Sequence, residues 1–486
     1  MSLARSLSWV ATAQGLSVLI QFAGTVVLAR YLTPHETGIY AVGLATVGIL
    51  SLVQALGLQA LIVREEVLTD ETMATAFTVN ALIAVFLSVA TISISLGVGD
   101  FLGDAGVSRV MLALAALPLI GIFTFLPTSM LERSRRFKEL SQIGTVSLIA
   151  TTLCSILFAM SGFSYMSIAY AQLIGSTLSA TLLLIVGREH ASLRVGFFAW
   201  RRVADFGLQM LAVTGINAVS SRLSEIALAR LIDLSALGVY SRASGVNGII
   251  WNNIHIAASR VMLADYSAIR RADGDLRERY LRTIDIVTAT LWPTFAGLAL
   301  LAKPLILVVY GENWLRAATP LALFSIASIG LVAISMTWEI FAATGNLRTQ
   351  TKIEFKRTLI SFAAFLLGCL ISLEAAAASR VLDAVVALFL YRPHLNRMTN
   401  TSMADLGPIY IRNGLLTLLA IAPAAGLMIA YRMSAAVPIL DLCGAVIGGA
   451  LLWSVALFLT RHSLSQEMIR IAKGRVYSAR RIPDRK

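Results

Sequence analysis

Charge is scarce in this chain of 486 residues: 14% are Asp, Glu, Lys or Arg, 57% are hydrophobic, and mean hydropathy is +0.78. That balance excludes an ordinary soluble domain, in which about a quarter of residues are charged. Cysteine is nearly absent. Cys154, Cys369 and Cys443 each lie inside an apolar run without metal-ligand spacing, so they read as small core residues and neither a disulfide framework nor a zinc site is expected. The sequence also lacks a Gly-rich loop followed by Lys-Ser or Lys-Thr, a metal cluster and a nucleophile triad. No cofactor and no nucleotide chemistry are therefore expected.

What the chain has instead is a succession of apolar runs of about 20 residues, the length that crosses a bilayer as a helix. The runs are continuous rather than alternating, which favours helices over a barrel. Fourteen spans are expected, at 8–30, 37–61, 74–97, 108–131, 141–161, 164–186, 207–230, 236–260, 283–302, 318–343, 358–375, 377–392, 411–431 and 436–459. The eleventh and twelfth are separated only by Leu373 to Ser379. The first run is long for a signal-peptide core and has no small-residue cleavage site, so it reads as a retained first helix. Pro34, Pro118, Pro127, Pro293 and Pro423 read as kinks or loop breakers.

The net charge of +13 reflects basic loops. With the N-terminus inside, 31 of the 40 Lys and Arg residues fall on the cytoplasmic side, seven outside, and two, Arg222 and Arg242, within helices. This asymmetry places both termini in the cytoplasm and requires an even number of spans. Nucleic acid is not an expected partner.

The chain repeats itself at a spacing of 200. Leu28-Ala29-Arg30 returns as Leu228-Ala229-Arg230, and Gly15, Gly38, Tyr40, Gly48 and Ile49 return as Gly215, Gly238, Tyr240, Gly248 and Ile249. The first span maps onto the seventh and the second onto the eighth. The expected fold class is thus an all-α polytopic membrane protein of two parallel six-helix repeats plus a C-terminal hairpin, an arrangement that lets two lobes rock around a cleft. The expected organisation is a lobe at 1–186, a cytoplasmic linker at 187–206, a second lobe at 207–392, extra helices within 393–460 and a basic tail at 461–486. Leu276, Tyr280 and Ile284, spaced by four among charges, predict a short amphipathic helix on the membrane surface within 263–282.

A charge at the bilayer centre costs about 2.5–3.5 kcal/mol on insertion scales, so Arg222, Glu225 and Arg242 are the strongest site candidates. Both arginines are expected roughly 9–13 Å below the outer ends of their helices, and two guanidiniums at one height suit a phosphate or diphosphate. Asn217, Ser221 and Ser224 share a side of helix 7 with Glu225, and Ser241, Asn252, His255 and Ser259 share a side of helix 8. The plainer alternatives are that Arg222 and Glu225 neutralise each other at i, i+3 and that Arg242 snorkels outward. Gln14 and Gln21 on helix 1, with Gln54 and Gln59 on helix 2, are placed to bond sugar hydroxyls or one another. Glu225, Glu339 and Asp285 are the candidates for ion coupling, with pairing to a neighbouring Arg as the alternative for Glu339.

The segment Leu28 to Pro34 followed by Gly38-Ile39-Tyr40 resembles the first outer loop of the polysaccharide-repeat (O-antigen and exopolysaccharide, Wzx-like) flippases of the multidrug/oligosaccharidyl-lipid/polysaccharide (MOP) superfamily. Val309-Tyr310-Gly311-Glu312-Asn313-Trp314, then Ala317-Ala318-Thr319-Pro320-Leu321, resembles that family's loop between helices 9 and 10, and Leu237 to Ala243 also fits. Met262-Leu263-Ala264-Asp265-Tyr266 departs from the Pro that many relatives carry after helix 8. The resemblance implies a V-shaped inner-membrane protein that moves an undecaprenyl-diphosphate-linked oligosaccharide between leaflets by alternating access. On that reading Arg222 and Arg242 bind the diphosphate, polar residues accommodate sugars, membrane lipids surround the carrier tail, and the polysaccharide polymerase and export machinery are further partners.

Two relatives of the same superfamily compete. A multidrug antiporter needs a membrane carboxylate, and the first six expected spans contain no Asp or Glu. A lipid II flippase shares fold and substrate chemistry and is separated only by the loop motifs. A membrane-embedded glycan polymerase or ligase needs a large outer loop, and every expected outer loop is short. The expectation is a transporter, not an enzyme.

Overall fold

Every regular element among the described residues is a helix, as the uninterrupted apolar runs require. The computed structural model describes residues 3–54, 58–65, 68–188, 195–198, 200–467 and 469–470. The side chains of 3–14, 52–54, 60, 64, 202–217, 252–258, 260 and 261 lie outside the described set. The chain divides into two compact units, Met1–Ser241 and Arg242–Lys486.

The first unit contains α1 (Leu3–Tyr31), α2 (Pro34–Gln54), α3 (Leu58–Arg64), α4 (Asp70–Leu102), α5 (Ala105–Leu114), α6 (Leu117–Arg133), α7 (Phe137–Met160), α8 (Met166–Val186) and α9 (Trp200–Leu231). Local chemistry sets the boundaries. Thr69 caps α4 by accepting from the Thr72 N–H, Gly103 ends it at φ 76°, and Asp104 caps α5. Pro118 opens α6, where its missing N–H costs nothing. Helix α7 packs on α1 and α8, α4 on α5 and α6, and α9 on α2 and α4. The first residues of α10 (Leu234–Arg271) also belong to this unit. There Gly238 crosses the start of α2 so closely that a Cβ on it would lie 1.9 Å from the Pro34 carbonyl oxygen.

The second unit takes the rest of α10, then α11 (Arg277–Leu300), α12 (Ala302–Tyr310), a 3₁₀ turn (Glu312–Ala317), α13 (Ala318–Val332), α14 (Thr337–Ala343), α15 (Leu347–Cys369), α16 (Leu373–Thr399), α17 (Met403–Ala430) and α18 (Ile439–Leu459). Ser372 caps α16, and Ser402 with Asp405 forms a capping box on α17. Helix α16 packs on α13 and α15, and α17 on α11 and α18.

Among the described residues, eight helices or helix pairs are long and apolar enough to cross a membrane by length and composition. The chain is an all-α, multi-pass membrane protein. Two expectations need correction. The separator between the eleventh and twelfth helices falls at 370–372, where Ser372 caps α16, rather than at 373–379. The region 263–282 forms no separate surface helix: α10 runs unbroken to Arg271 and α11 starts at Arg277. Leu276, Tyr280 and Ile284 are buried in the second unit's core, so their four-residue spacing marks an inward-facing stripe instead of a lipid-facing one.

Candidate functional site

In the first unit, Arg222 on α9 donates from Nη1 to Glu225 Oε2 at 3.0 Å, one helical turn away. The Arg222 side chain is 37% exposed and that of Glu225 22%. Gly48 on α2 makes room for it: a Cβ there would lie 3.0 Å from Arg222 Nε. Gln21 is exposed on α1, and the hydroxyl of buried Ser224 is spent on the Ser220 carbonyl of its own helix.

Arg242 belongs to the second unit and meets aromatic faces. Its guanidinium carbon lies over the Trp314 ring, 4.5 Å from the centroid, and 5.1 Å from the centroid of Tyr310. Cation–π contacts run from about 0.5–1 kcal/mol when exposed to about 2 kcal/mol when desolvated. The rings come from the end of α12 and the 3₁₀ turn that follows it, are buried, and sit 6.5 Å apart at 54°. Between them Gly311 adopts φ 92°, ψ 178°, a region closed to residues with a side chain.

The tenth expected span is broken. After α13 the chain makes three successive i→i−3 turns through Ser335 and sets Met336 at φ 62° before α14 starts. Left-handed backbone at a residue with a Cβ costs about 1–2 kcal/mol. The break is supported by Arg392 on α16 and Tyr410 on α17, which both donate to the Ala333 carbonyl, at 2.7 and 2.8 Å. Just beyond it Glu339 is 2% exposed; its Oε1 accepts from Ser259, and its Oε2 has no hydrogen-bond partner among the described residues. The Ser335 hydroxyl is likewise buried without a partner among the described residues. Asp285, by contrast, is fully engaged, accepting from Arg412 (2.6 Å), Ser463 (2.6 Å) and Asn413 (3.1 Å), with buried His462 Nε2 at 3.0 Å.

The second unit also carries an almost wholly apolar groove of about 420 Å³, lined by Leu298, Leu301, Ile421, Ala424, Val446 and Trp453 among others. Pro293 removes the bond that the Ala289 carbonyl would accept, and Trp453 Nε1 takes that place at 2.9 Å. The carbonyl freed by Pro293 is thus satisfied by a side chain of the groove wall.

A family model described as "Polysaccharide biosynthesis protein" matches residues 27–319. The chain belongs to this polysaccharide biosynthesis protein family. Among curated relatives, the lipopolysaccharide biosynthesis protein WzxC of Escherichia coli is 20% identical over 74% of this chain and 74% of its own length. The succinoglycan biosynthesis transport protein ExoT of Rhizobium meliloti is 25% identical over 66% of this chain and 65% of its own. Among solved structures, the lipid II flippase MurJ in an inward closed conformation superposes with a TM-score of 0.77 at 12% identity, covering 93% of this chain and 98% of that one. An inward-facing multidrug resistance transporter of the MOP superfamily gives 0.63 at 14% identity, covering 79% and 96%. These likenesses show the fold that this polysaccharide biosynthesis family member adopts.

The family match frames what sequence reading had and lacked. Of the expected site residues, Arg222 and Glu225 pair in one unit, while Arg242 and Glu339 lie in the other. The side chains of Gln14, Gln54, Asn217, Asn252 and His255 lie outside the described residues, as do the last 16 positions of the basic tail, 471–486. Sequence reading of this family member missed the clamp on Arg242, although Tyr310-Gly311 and Trp314 stand in a motif it quoted. It also missed Arg392 and Tyr410, because the carbonyl they share belongs to a segment distant in sequence.

Proposed function

We propose that this chain is a flippase that moves undecaprenyl-diphosphate-linked oligosaccharide repeat units from the cytoplasmic to the periplasmic leaflet of a bacterial inner membrane, for surface polysaccharide biosynthesis. It works by alternating access between six-helix lobes at 1–186 and 207–392, with both termini cytoplasmic. Family membership supports the substrate class. The single observation that carries the chemistry is Arg242, a cation kept on a membrane helix by two ring faces, 4.5 and 5.1 Å away. Such a group suits an anionic headgroup and repels the cationic drugs of an antiporter. Arg222 and Glu225 are also assigned to substrate binding, with Glu225 balancing the Arg222 charge. Asn217, Asn252, Gln14, Gln21 and Gln54 are the residues we assign to the sugars. The apolar groove suits stretches of the polyprenyl tail that stay in hydrocarbon. Glu339 is the group we assign to ion coupling, because Glu225 already has a guanidinium partner.

The test is the leaflet distribution of lipid-linked oligosaccharide in a deletion strain complemented with wild type, Arg222→Ala, Arg242→Ala or both. The expected result is cytoplasmic-leaflet accumulation and loss of surface glycan in the deletion, with each variant impaired at native protein levels. Normal surface glycan in the deletion, with increased sensitivity to cationic drugs, overturns the flippase in favour of an antiporter. Normal export by the double variant overturns the headgroup assignment.

A further inference from the structure

We infer that Val195, Phe197, Phe198, Trp200 and Arg201, at the entry to α9, form a contact for anionic phospholipid: the apolar side chains enter the bilayer surface and Arg201 meets headgroup phosphate. Val195 is 74% and Phe198 86% exposed, and Phe197 and Trp200 are each more than half exposed. Scattered apolar residues on a surface need no account, but four within six positions make a patch that water disfavours. The patch is folded. The Trp200 N–H donates to the Phe197 carbonyl at 3.3 Å, and the Arg201 guanidinium carbon lies 5.6 Å from the centroid of the Trp200 ring. Aromatic rings with an arginine beside them are what the boundary between membrane and water selects.

The depth of the patch is set by α4. The Gly196 N–H donates to Thr78 Oγ1 at 3.0 Å, and a Cβ on Gly196 would lie 3.0 Å from the Ala74 Cβ. The segment is thus pinned against α4 with no room for a side chain between them. Helix α4 has 33 residues, about 50 Å of helix, against a hydrocarbon core about 30 Å thick, so its ends lie in the headgroup layers. Thr78 stands about 12 Å along the helix from Asp70, near the edge of its apolar stretch. The acids of the first turn, Asp70 and Glu71, fall about 10–12 Å further out. From His190 to Ala204 the sequence carries Arg194, Arg201 and Arg202 and no Asp or Glu, so the charge offered to a lipid here is positive. Such a surface draws lipids of net negative headgroup in preference to zwitterionic ones. The inference needs only a chain that spans a bilayer, so it stands apart from the question of which solute is carried.

The experiment uses the purified full chain with Cys154→Ala, Cys369→Ala and Cys443→Ala, and with Val195→Cys carrying a fluorescent dye. It is placed in phosphatidylcholine nanodiscs to which nitroxide-tagged phosphatidylglycerol or nitroxide-tagged phosphatidylcholine is added. The tagged phosphatidylglycerol should quench the dye at a roughly 5-fold lower lipid fraction than the tagged phosphatidylcholine, the factor that one arginine contributes at an anionic surface. Arg201→Gln should remove most of that preference. Equal quenching by the two lipids overturns the anionic contact. Quenching by aqueous iodide and by neither lipid overturns the bilayer contact itself and leaves the patch to a protein partner. An Arg201→Gln chain that keeps the full preference overturns the role of the arginine. Should the cysteine-free chain not fold, hydrogen exchange at the amides of 195–201 is measured on the unlabelled chain in the two lipids. Slower exchange with phosphatidylglycerol supports the contact, and equal exchange overturns it.

Discussion

Gly38 and Gly238, equivalent positions of the 200-residue repeat, lie against each other where the starts of α2 and α10 cross. A Cβ on Gly38 would sit 1.8 Å from the Leu234 carbonyl oxygen; one on Gly238 would sit 1.9 Å from that of Pro34 and 3.1 Å from the Gly38 nitrogen. Pro34 and Leu234 are themselves repeat partners, so the contact is reciprocal. Because the obstructing atoms are backbone, neither helix can yield by a rotamer change. Gly38→Ala and Gly238→Ala should therefore each destabilise the protein by about 1–3 kcal/mol or more. Gly97 and Gly245 have open space around them, and Ala there should be neutral or slightly stabilising. Thermal unfolding of the four purified variants checks this; equal losses at all four would contradict it.

Acid should loosen the first unit through Glu36. This residue lies ahead of the expected second span and accepts from the Thr33 N–H (2.7 Å), the Thr33 hydroxyl (2.9 Å) and Ser164. Burial pushes its carboxyl up, but these bonds and neighbouring His35 together hold it below the usual glutamate range. A carboxyl lowered on folding stabilises above its unfolded value and loses that contribution as pH falls through its folded one. The melting temperature should be level near neutrality and fall in the acid range. Glu36→Gln should melt lower at neutral pH and show a shallower acid decline; an unchanged profile would remove Glu36 as a contributor.

Arg357 on α15 and Asp383 on α16 form a two-pronged ion pair, Nε to Oδ1 at 2.9 Å and Nη2 to Oδ2 at 2.8 Å, with Ser361 also donating to the carboxylate. The Asp383 side chain is 11% exposed. Asp383→Ala leaves Arg357 only its longer 3.3 Å bond to Glu354, so it should cost about 3–5 kcal/mol, whereas the joint change Arg357→Met with Asp383→Leu should recover part of it. Thermal unfolding of single and double variants decides. A double variant as unstable as the single would show that the pair itself, rather than the stranded charge, supplies the stability.

How much of this was legible in the sequence depends on how local each feature is. Apolar runs are local in sequence, and helices followed from them. The Arg222–Glu225 pair was readable as the i, i+3 alternative to two free site residues. The break after Val332 was not, because Ala333-Ile334-Ser335-Met336 contains neither Gly nor Pro; it is held by Arg392 and Tyr410 from other helices. The Asp285–His462 contact joins residues 177 positions apart. The motif around Gly311 was visible, but its pairing with Arg242 is tertiary and leaves no spacing signal.

Glu339 supplies the last prediction. One oxygen accepts from Ser259; among the described residues the other is buried without a hydrogen-bond partner, and no Lys, Arg or His forms an ion pair with it. Ion coupling, the role proposed for Glu339, needs a group inside the membrane that takes up and releases a proton or a monovalent cation. Glu339 lies three residues after Met336, whose φ of 62° strains the backbone there. Glu339→Gln mimics the neutral group permanently and keeps its shape. The variant should fold with a melting temperature close to wild type, yet translocation in proteoliposomes should no longer respond to an imposed proton or sodium gradient. Glu225→Gln should behave differently: it frees Arg222 and should change headgroup affinity before it changes gradient dependence. A Glu339→Gln protein that still follows the gradient would take this carboxylate out of the coupling mechanism and leave the flippase reading untouched.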